Sequence, residues 1–212
     1  MKKFPIYNEF LANVKGIGEI SAGWILGSFD IEKATTVSKM WQYAGYNPAL
    51  IKGKKRIAKK SYKPEMGEII SEIKNIRTNE KDYIIQTNSL IRGDRATEGF
   101  ILPFNQELRT KLFVMGGGFI KAKNHYAAEF YYPCKKRLEN SENVIVNEGK
   151  TRKGDGETWS EASKLRRHLA SIRWMNKHFL KDLYSAWREI EGLPVRMPYA
   201  EEYLGKVHET DI

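Results

Sequence analysis

The stretch Leu11-Ala-Asn-Val14-Lys15-Gly16-Ile17-Gly18-Glu-Ile-Ser21-Ala22 decides how the chain is read, with an apolar run from Ile20 to Leu26 behind it. It has the pattern of a helix, a two-glycine turn and a second helix. Gly16 and Gly18 lack a Cβ, so the backbone there can take positive φ and approach another molecule closely. A helix that starts directly after such a turn presents free amide donors and the positive end of its dipole, together a site for a phosphate.

The frame Leu-x-x-Val-x-Gly-Ile-Gly-x-x-Ser-Ala resembles the helix-hairpin-helix element, which grips nucleic-acid backbones without reading sequence. Lys15, Gly16, Ile17 and Gly18 are then the candidate backbone contacts. The structural alternative is a Gly-capped turn between two core helices. The charge balance favours the first: 36 Lys and Arg stand against 26 Asp and Glu, a formal +10, and a basic chain is drawn to polyanions.

With 41% hydrophobic and 29% charged residues in 212, the composition is that of an ordinary globular chain rather than a disordered one. The single cysteine, Cys134, excludes an internal disulfide and a cysteine-based zinc cluster. No two of His125, His168, His178 and His208 lie at helical ligand spacing, so neither metal nor cofactor is expected. The start, Met-Lys-Lys-Phe-Pro, lacks the apolar core of a signal peptide, and no run reaches the length of a membrane span. A cytoplasmic protein with no membrane partner is the expectation.

Periodicity divides the chain into a helix-hairpin-helix region at 1–48, a basic loop and helical middle at 49–139, a flexible polar connection at 140–157, and a long C-terminal helix with its tail at 158–212. Lys52 to Lys63 carries seven basic residues (Lys52, Lys54, Lys55, Arg56, Lys59, Lys60 and Lys63) and no acid. Gly53 and the preceding Asn47-Pro48 argue for a loop, and these cations are further candidate nucleic-acid contacts. Met66, Ile69, Ile70 and Ile73 suit a helix over Glu65–Ile76. The β-prone runs Tyr83-Ile-Ile85 and Phe100-Ile-Leu102 flank Arg92-Gly-Asp-Arg95 and allow a small β-hairpin at 82–105.

Helix is expected again from Leu108 to Glu139, interrupted at Gly116-Gly-Gly118, where close helix packing is the favoured reason for the glycines. Thr158 and Glu161 fit a capping box for the last helix. Its apolar stripe runs through Leu165, Leu169, Ile172, Phe179, Leu183, Trp187 and Ile190, with Arg166, Arg167, Arg173, Lys177 and Lys181 as a basic face. Gly192 and Pro194 end it. The fold class read from this is mainly α, with a small β insertion and a long amphipathic C-terminal helix.

Three segments carry a wider resemblance: Val14–Gly18, then Asp30-Ile-Glu-Lys-Ala-Thr-Thr-Val-Ser38, then Trp41-Gln-Tyr-Ala-Gly-Tyr-Asn-Pro48. Together they resemble the C-terminal transposase domain of the Piv-type, bridge-RNA-guided insertion-sequence transposases. The tail, with Pro198-Tyr199, Leu204-Gly205 and His208, is similar to a phage and archaeal branch of that family. The resemblance covers residues 10–48 and 158–208; the middle matches only loosely. It implies DNA as partner, structured RNA as a further one, a role in transposition or recombination, and assembly into homo-oligomers.

Two features depart from that pattern. The family joins this domain to a RuvC-like domain with acidic metal ligands, and no strand-borne aspartates precede the hairpin in this sequence. The family's nucleophilic serine follows the Gly-x-Asn/Ala-Pro turn, where this chain has Ala49-Leu-Ile-Lys-Gly53. Ser61 is the nearest substitute. Set among lysines it is either an activated nucleophile or a loop serine beside phosphate-binding cations. An active recombinase subunit and an interaction protein with no nucleic-acid role are thus the competing readings.

Overall fold

A computed structural model describes residues 3–145 and 156–196. It holds six α-helices, α1 (Pro5–Glu9), α2 (Glu19–Ser28), α3 (Val37–Tyr43), α4 (Gln106–Ala122), α5 (Tyr132–Glu139) and α6 (Lys164–Ile190), among the described residues. Three strands, β1 (Leu50–Ala58), β2 (Glu68–Lys74) and β3 (Lys81–Arg92), form one antiparallel sheet in the order β1-β3-β2. With 49% helix against 16% strand the fold is helix-rich, but mixed rather than all-helical. Contacts divide the chain into two units: Met1–Met40 with Thr110–Ile212, and Trp41–Arg109.

The first unit is helical. Ile6, Leu11, Val14, Ala22 and Ile25 pack into a core with Leu112, Met115 and Phe119 of α4 and Met175, Phe179, Leu180 and Leu183 of α6. At its centre three rings meet, Phe119, Tyr126 and Phe179, with centroids 5.2 to 5.8 Å apart.

The glycine run does not interrupt α4, which passes through Gly116, Gly117 and Gly118 unbroken. A Cβ on Gly116 would stand 2.9 Å from both Asn176 Oδ1 and Ile172 Cγ2 of α6. Close approach between helices therefore requires glycine there, at a cost in helix propensity of about 1 kcal/mol. The break falls later, at Lys123 (φ 49°) and Asn124. Asn124 Oδ1 accepts from Ala127 N at 3.0 Å and starts the next helical segment. That segment opens as a π-turn over Ala127–Tyr131 and continues as α5, whose Pro133 lacks an N–H.

The last helix begins at Lys164, later than the Thr158 box implies. Thr158 and Glu161 do bond reciprocally, Thr158 N donating to Glu161 Oε2 at 3.0 Å and Glu161 N to Thr158 Oγ1 at 3.4 Å. They close a separate turn, whose carbonyls at Trp159, Ser160 and Ala162 accept from the buried Arg167 guanidinium. Ser163 is the true N-cap, accepting from Arg166 N at 3.2 Å. Arg167 therefore leaves the expected basic face. Leu165 and Leu169 leave the expected stripe, being 64% and 39% exposed; its buried part runs from Ile172 to Trp187. In the connection, Val144 bridges Thr158; residues 146–155 and the tail motif from Pro198 to His208 lie outside the described residues.

The second unit departs most from expectation. The basic segment is not a loop: it forms β1, followed by a 3-10 turn at Lys59–Ser61. Gly53 signals close packing rather than a turn, since a Cβ there would lie 2.4 Å from the Phe100 ring. Nor does Glu65–Ile76 form a helix. It is a 3-10 turn at Pro64–Met66 followed by β2. Ile69 and Ile73 are four apart, a spacing helix and strand share, and a bulge at Ile70 shifts the register so that Ile69 and Ile70 are both exposed. Three β-branched residues then favour the strand.

The expected hairpin at 82–105 is also replaced. Tyr83–Ile85 lies in β3, which pairs with β1 on one side and β2 on the other. Phe100–Leu102 forms no strand: Phe100 N closes a local turn on Thr97 O at 3.1 Å, and Ile101 N donates to Lys54 O of β1 at 2.8 Å. The turn at Gly93–Asp94 is present, closed by Arg92 on both oxygens of the buried Asp94 at 3.0 and 3.2 Å.

Candidate nucleic-acid interface

Lys15, Gly16, Ile17 and Gly18 form the turn between a 3-10 turn at Leu11–Asn13 and α2. Gly16 has φ +101°, and a Cβ on it would meet Ala122 Cβ and Gly118 O at 3.3 Å. Its glycine is needed for backbone geometry and for seating the turn against α4. Asn124 Nδ2 completes the seat by donating to Lys15 O at 3.0 Å. Ile17 is half-buried, while Lys15 and Gly18 are exposed.

Gly18 differs in kind from Gly16. It is the N-cap of α2 with φ −103° and ψ 179°, a conformation open to any residue. Nothing lies within 4 Å of the position its Cβ would occupy. No side chain caps the helix. The first bond of the helix is Ala22 N to Gly18 O at 2.9 Å, and no described residue accepts from the N–H groups of Gly18, Glu19, Ile20 or Ser21. Four backbone donors are therefore left without an acceptor among the described residues, at the positive end of a ten-residue helix. Exposed Glu19 is the one opposing charge in that first turn.

Two cations that the sequence reading did not associate with the turn flank it. Lys121 and Lys123 are exposed and border Ala122, the last residue of α4, and Asn124 just beyond it, which seat Gly16 and Lys15. Lys15, Lys121 and Lys123 make no ion pair among the described residues. More than a hundred positions separate Lys15 from them, so only packing of the Gly16 turn on Gly118 reveals the group.

The basic segment lies in the second unit, and its seven cations are unequal. Arg56 Nε donates to the buried Asp82 at 2.6 Å, and Asn75 Nδ2 supports the same carboxylate oxygen at 2.9 Å. Lys59 stands 3.8 Å from Glu72, and Lys60 stands 3.3 Å from Glu80. A hydrogen bond from Lys81 at 2.6 Å holds the Glu72 carboxyl below its ordinary range and raises the lysine in return. Lys55 lies 4.5 Å over the Phe100 ring. That leaves Lys52, Lys54 and Lys63 exposed and without an ion pair among the described residues. Lys52 and Lys54 belong to β1, next to the bulge between them and β3.

Ser61 ends the 3-10 turn after β1, exposed and with no hydrogen-bond partner among the described residues. Its unit, Trp41–Arg109, contains no histidine. The neighbouring Lys59 and Lys60 are engaged by Glu72 and Glu80.

No helix among the described residues is long and apolar enough to cross a membrane. No family model matches the chain, and no curated protein or solved structure shows significant similarity to it.

Proposed function

We propose that this chain binds the sugar-phosphate backbone of DNA through the Gly16–Gly18 turn, and that it serves DNA transposition or recombination in the manner of the transposase domain its motifs resemble. The observation that carries the proposal is the uncapped start of α2. Four amide donors stand open beside a bare Gly18 and the exposed Lys15, with Lys121 and Lys123 flanking the seat of the turn. Amides at a helix N-terminus are suited to a phosphate and indifferent to base identity. Lys52, Lys54 and Lys63 supply a second set of unpaired cations, and structured RNA offers the same phosphate chemistry.

The test is a salt series of binding to duplex DNA, branched DNA and structured RNA. Affinity should fall linearly in log–log form, with a slope of about −0.9 for each duplex phosphate neutralised. Lys52→Ala with Lys54→Ala should shallow that slope by about 2, while Lys60→Ala, already paired with Glu80, should change it less. Absent or salt-insensitive binding refutes the proposal. The catalytic reading of Ser61 has no supporting geometry, and a covalent DNA adduct lost in Ser61→Ala would be needed to establish it.

A further inference from the structure

After α6 the chain reverses. Gly192 takes φ 65°, Leu193 N donates to Arg188 O at 2.7 Å, and the backbone turns back along the helix it has just left. Two bonds set its course: Arg188 Nε donates to Pro194 O at 2.6 Å, and Arg196 N donates to Tyr184 Oη at 3.4 Å. Tyr184 is itself anchored, donating to Thr35 O at 3.0 Å. From Pro194 to Arg196 the returning chain passes from Arg188 to Tyr184, two residues against four. That is the ratio of extended chain to helix, about 3.2 Å per residue against 1.5 Å.

The face it follows is cationic. Arg166, Arg173, Lys177, Lys181, Tyr184 and Arg188 are spaced to share one side of α6, within an arc of roughly 80°. The acids of α6, Asp182 and Glu189, lie roughly opposite. Arg166, at the far end of the ridge, pairs with Glu157 at 3.4 Å, and Arg188 at the near end is buried. Between them stand Arg173, Lys177 and Lys181. Burial and the adjacent Arg173 charge hold the Lys177 ammonium below its ordinary range, so like charges crowd this ridge.

Residues 197–203 read Met-Pro-Tyr-Ala-Glu-Glu-Tyr, two acids and no cation. Pro198 biases the residue before it towards extended backbone. At two helix residues per tail residue, Glu201 and Glu202 come level with positions about ten to twelve before Tyr184, the turn of Arg173. Lys177 is one turn away, within the span of its own side chain. We infer that residues 197–203 continue along this ridge as a strap, setting the Glu201 and Glu202 carboxylates on Arg173 and Lys177 and withholding those cations from a nucleic-acid phosphate. The direction of residues 193–196 and the charge complementarity select the chain's own tail as occupant, with duplex DNA as its competitor. The masking rests on the nucleic-acid reading above; the docking does not.

Carbodiimide treatment of the full chain, read by mass spectrometry of its peptides, should join Glu201 or Glu202 to Lys177 through an amide. Mixing labelled with unlabelled protein should show the link to lie within one chain. No link to Lys177, or links from this pair scattered evenly over other lysines, would overturn the docking. The full chain with Glu201→Gln and Glu202→Gln should bind duplex DNA about tenfold more tightly, with a salt slope steeper by about 2 as two further phosphates are met. Glu189→Gln with Glu191→Gln makes the same change of net charge away from the ridge and should gain less. Arg173→Ala with Lys177→Ala, in an otherwise wild-type chain, should leave affinity unchanged, because the strap already occupies both cations. Equal gains from the two glutamate pairs, or a loss of affinity on removing the two cations, would overturn the masking. If no chain binds DNA, the nucleic-acid reading falls and the masking with it, and the cross-link still decides the docking.

Discussion

Replacing Gly18 by aspartate should move stability and nucleic-acid affinity in opposite directions. The φ −103° and ψ 179° of Gly18 are those of an ordinary N-cap residue, and the space for a Cβ is empty. An aspartate therefore fits without strain and accepts from one of the free amides of the first turn. Better capping is worth a few tenths of a kcal/mol over glycine, the dipole adds 0.3–1 kcal/mol, and loss of glycine's unfolded-state freedom adds about 0.5 kcal/mol. The repulsion from neighbouring Glu19 subtracts part of this. A net gain of about 1 kcal/mol should raise the melting temperature by roughly 2–4 °C in a chain of this size. The same carboxylate occupies the proposed phosphate position. Losing one charge-assisted contact there should cost about 1.5–3 kcal/mol of binding, roughly 10- to 100-fold in the dissociation constant. Thermal denaturation and a fluorescence-anisotropy titration at fixed salt read the two effects. Gly18→Asn, equal in shape and uncharged, should keep the capping and entropy part of the stabilisation without the dipole part, and lose less affinity. Unchanged binding with increased stability would show that the helix start is not a phosphate site. A fall in stability would show that Gly18 is not the N-cap.

Three further outcomes follow from the packing. Gly16→Ala should destabilise the fold by about 1–3 kcal/mol in denaturant titrations, because φ +101° is unfavourable for alanine and its methyl would press on Ala122 and Gly118. Arg56→Ala should cost about 1–3 kcal/mol, since Asp82, only 4% exposed, would keep Asn75 as its remaining support. Burial lifts the Asp182 carboxyl above its ordinary 3.8, although it accepts from Tyr126 at 2.9 Å. Its folded state thus binds the proton more tightly than the unfolded chain, and stability is lost as pH rises through that lifted value. Asp182→Asn should therefore melt higher than the wild type above that pH, with the advantage fading below about 3.8. An advantage that grows on acidification would reverse the sign of the argument.

Elements whose signals are local were legible in the sequence. The turn at Gly16 follows from glycine spacing, and its positive φ is a property of the residue itself. Most of α6 follows from a long 3.6-residue repeat, and Gly192 terminates it at φ 65°. Close packing at Gly116 was likewise inferable, because three glycines inside a helical pattern need a reason. The segment from Lys52 to Ile76 was misread for the opposite reason. Gly53 has the same letter whether it turns a loop or admits a phenylalanine ring, and Ile69 and Ile73 fit either period.

By itself the sequence determined the basic excess, the helix-rich character and the glycine turn. Only the tertiary structure decided which cations remain available for an anion. Asp82, Glu72 and Glu80 neutralise Arg56, Lys59 and Lys60 through strand pairing and the turns between strands, while Lys121 and Lys123 adjoin the two residues, Ala122 and Asn124, on which the Gly16 turn is seated. Charge is additive along a chain, but ion pairing depends on distances of a few ångströms between residues far apart in sequence, and those distances exist only once the strands and helices have packed.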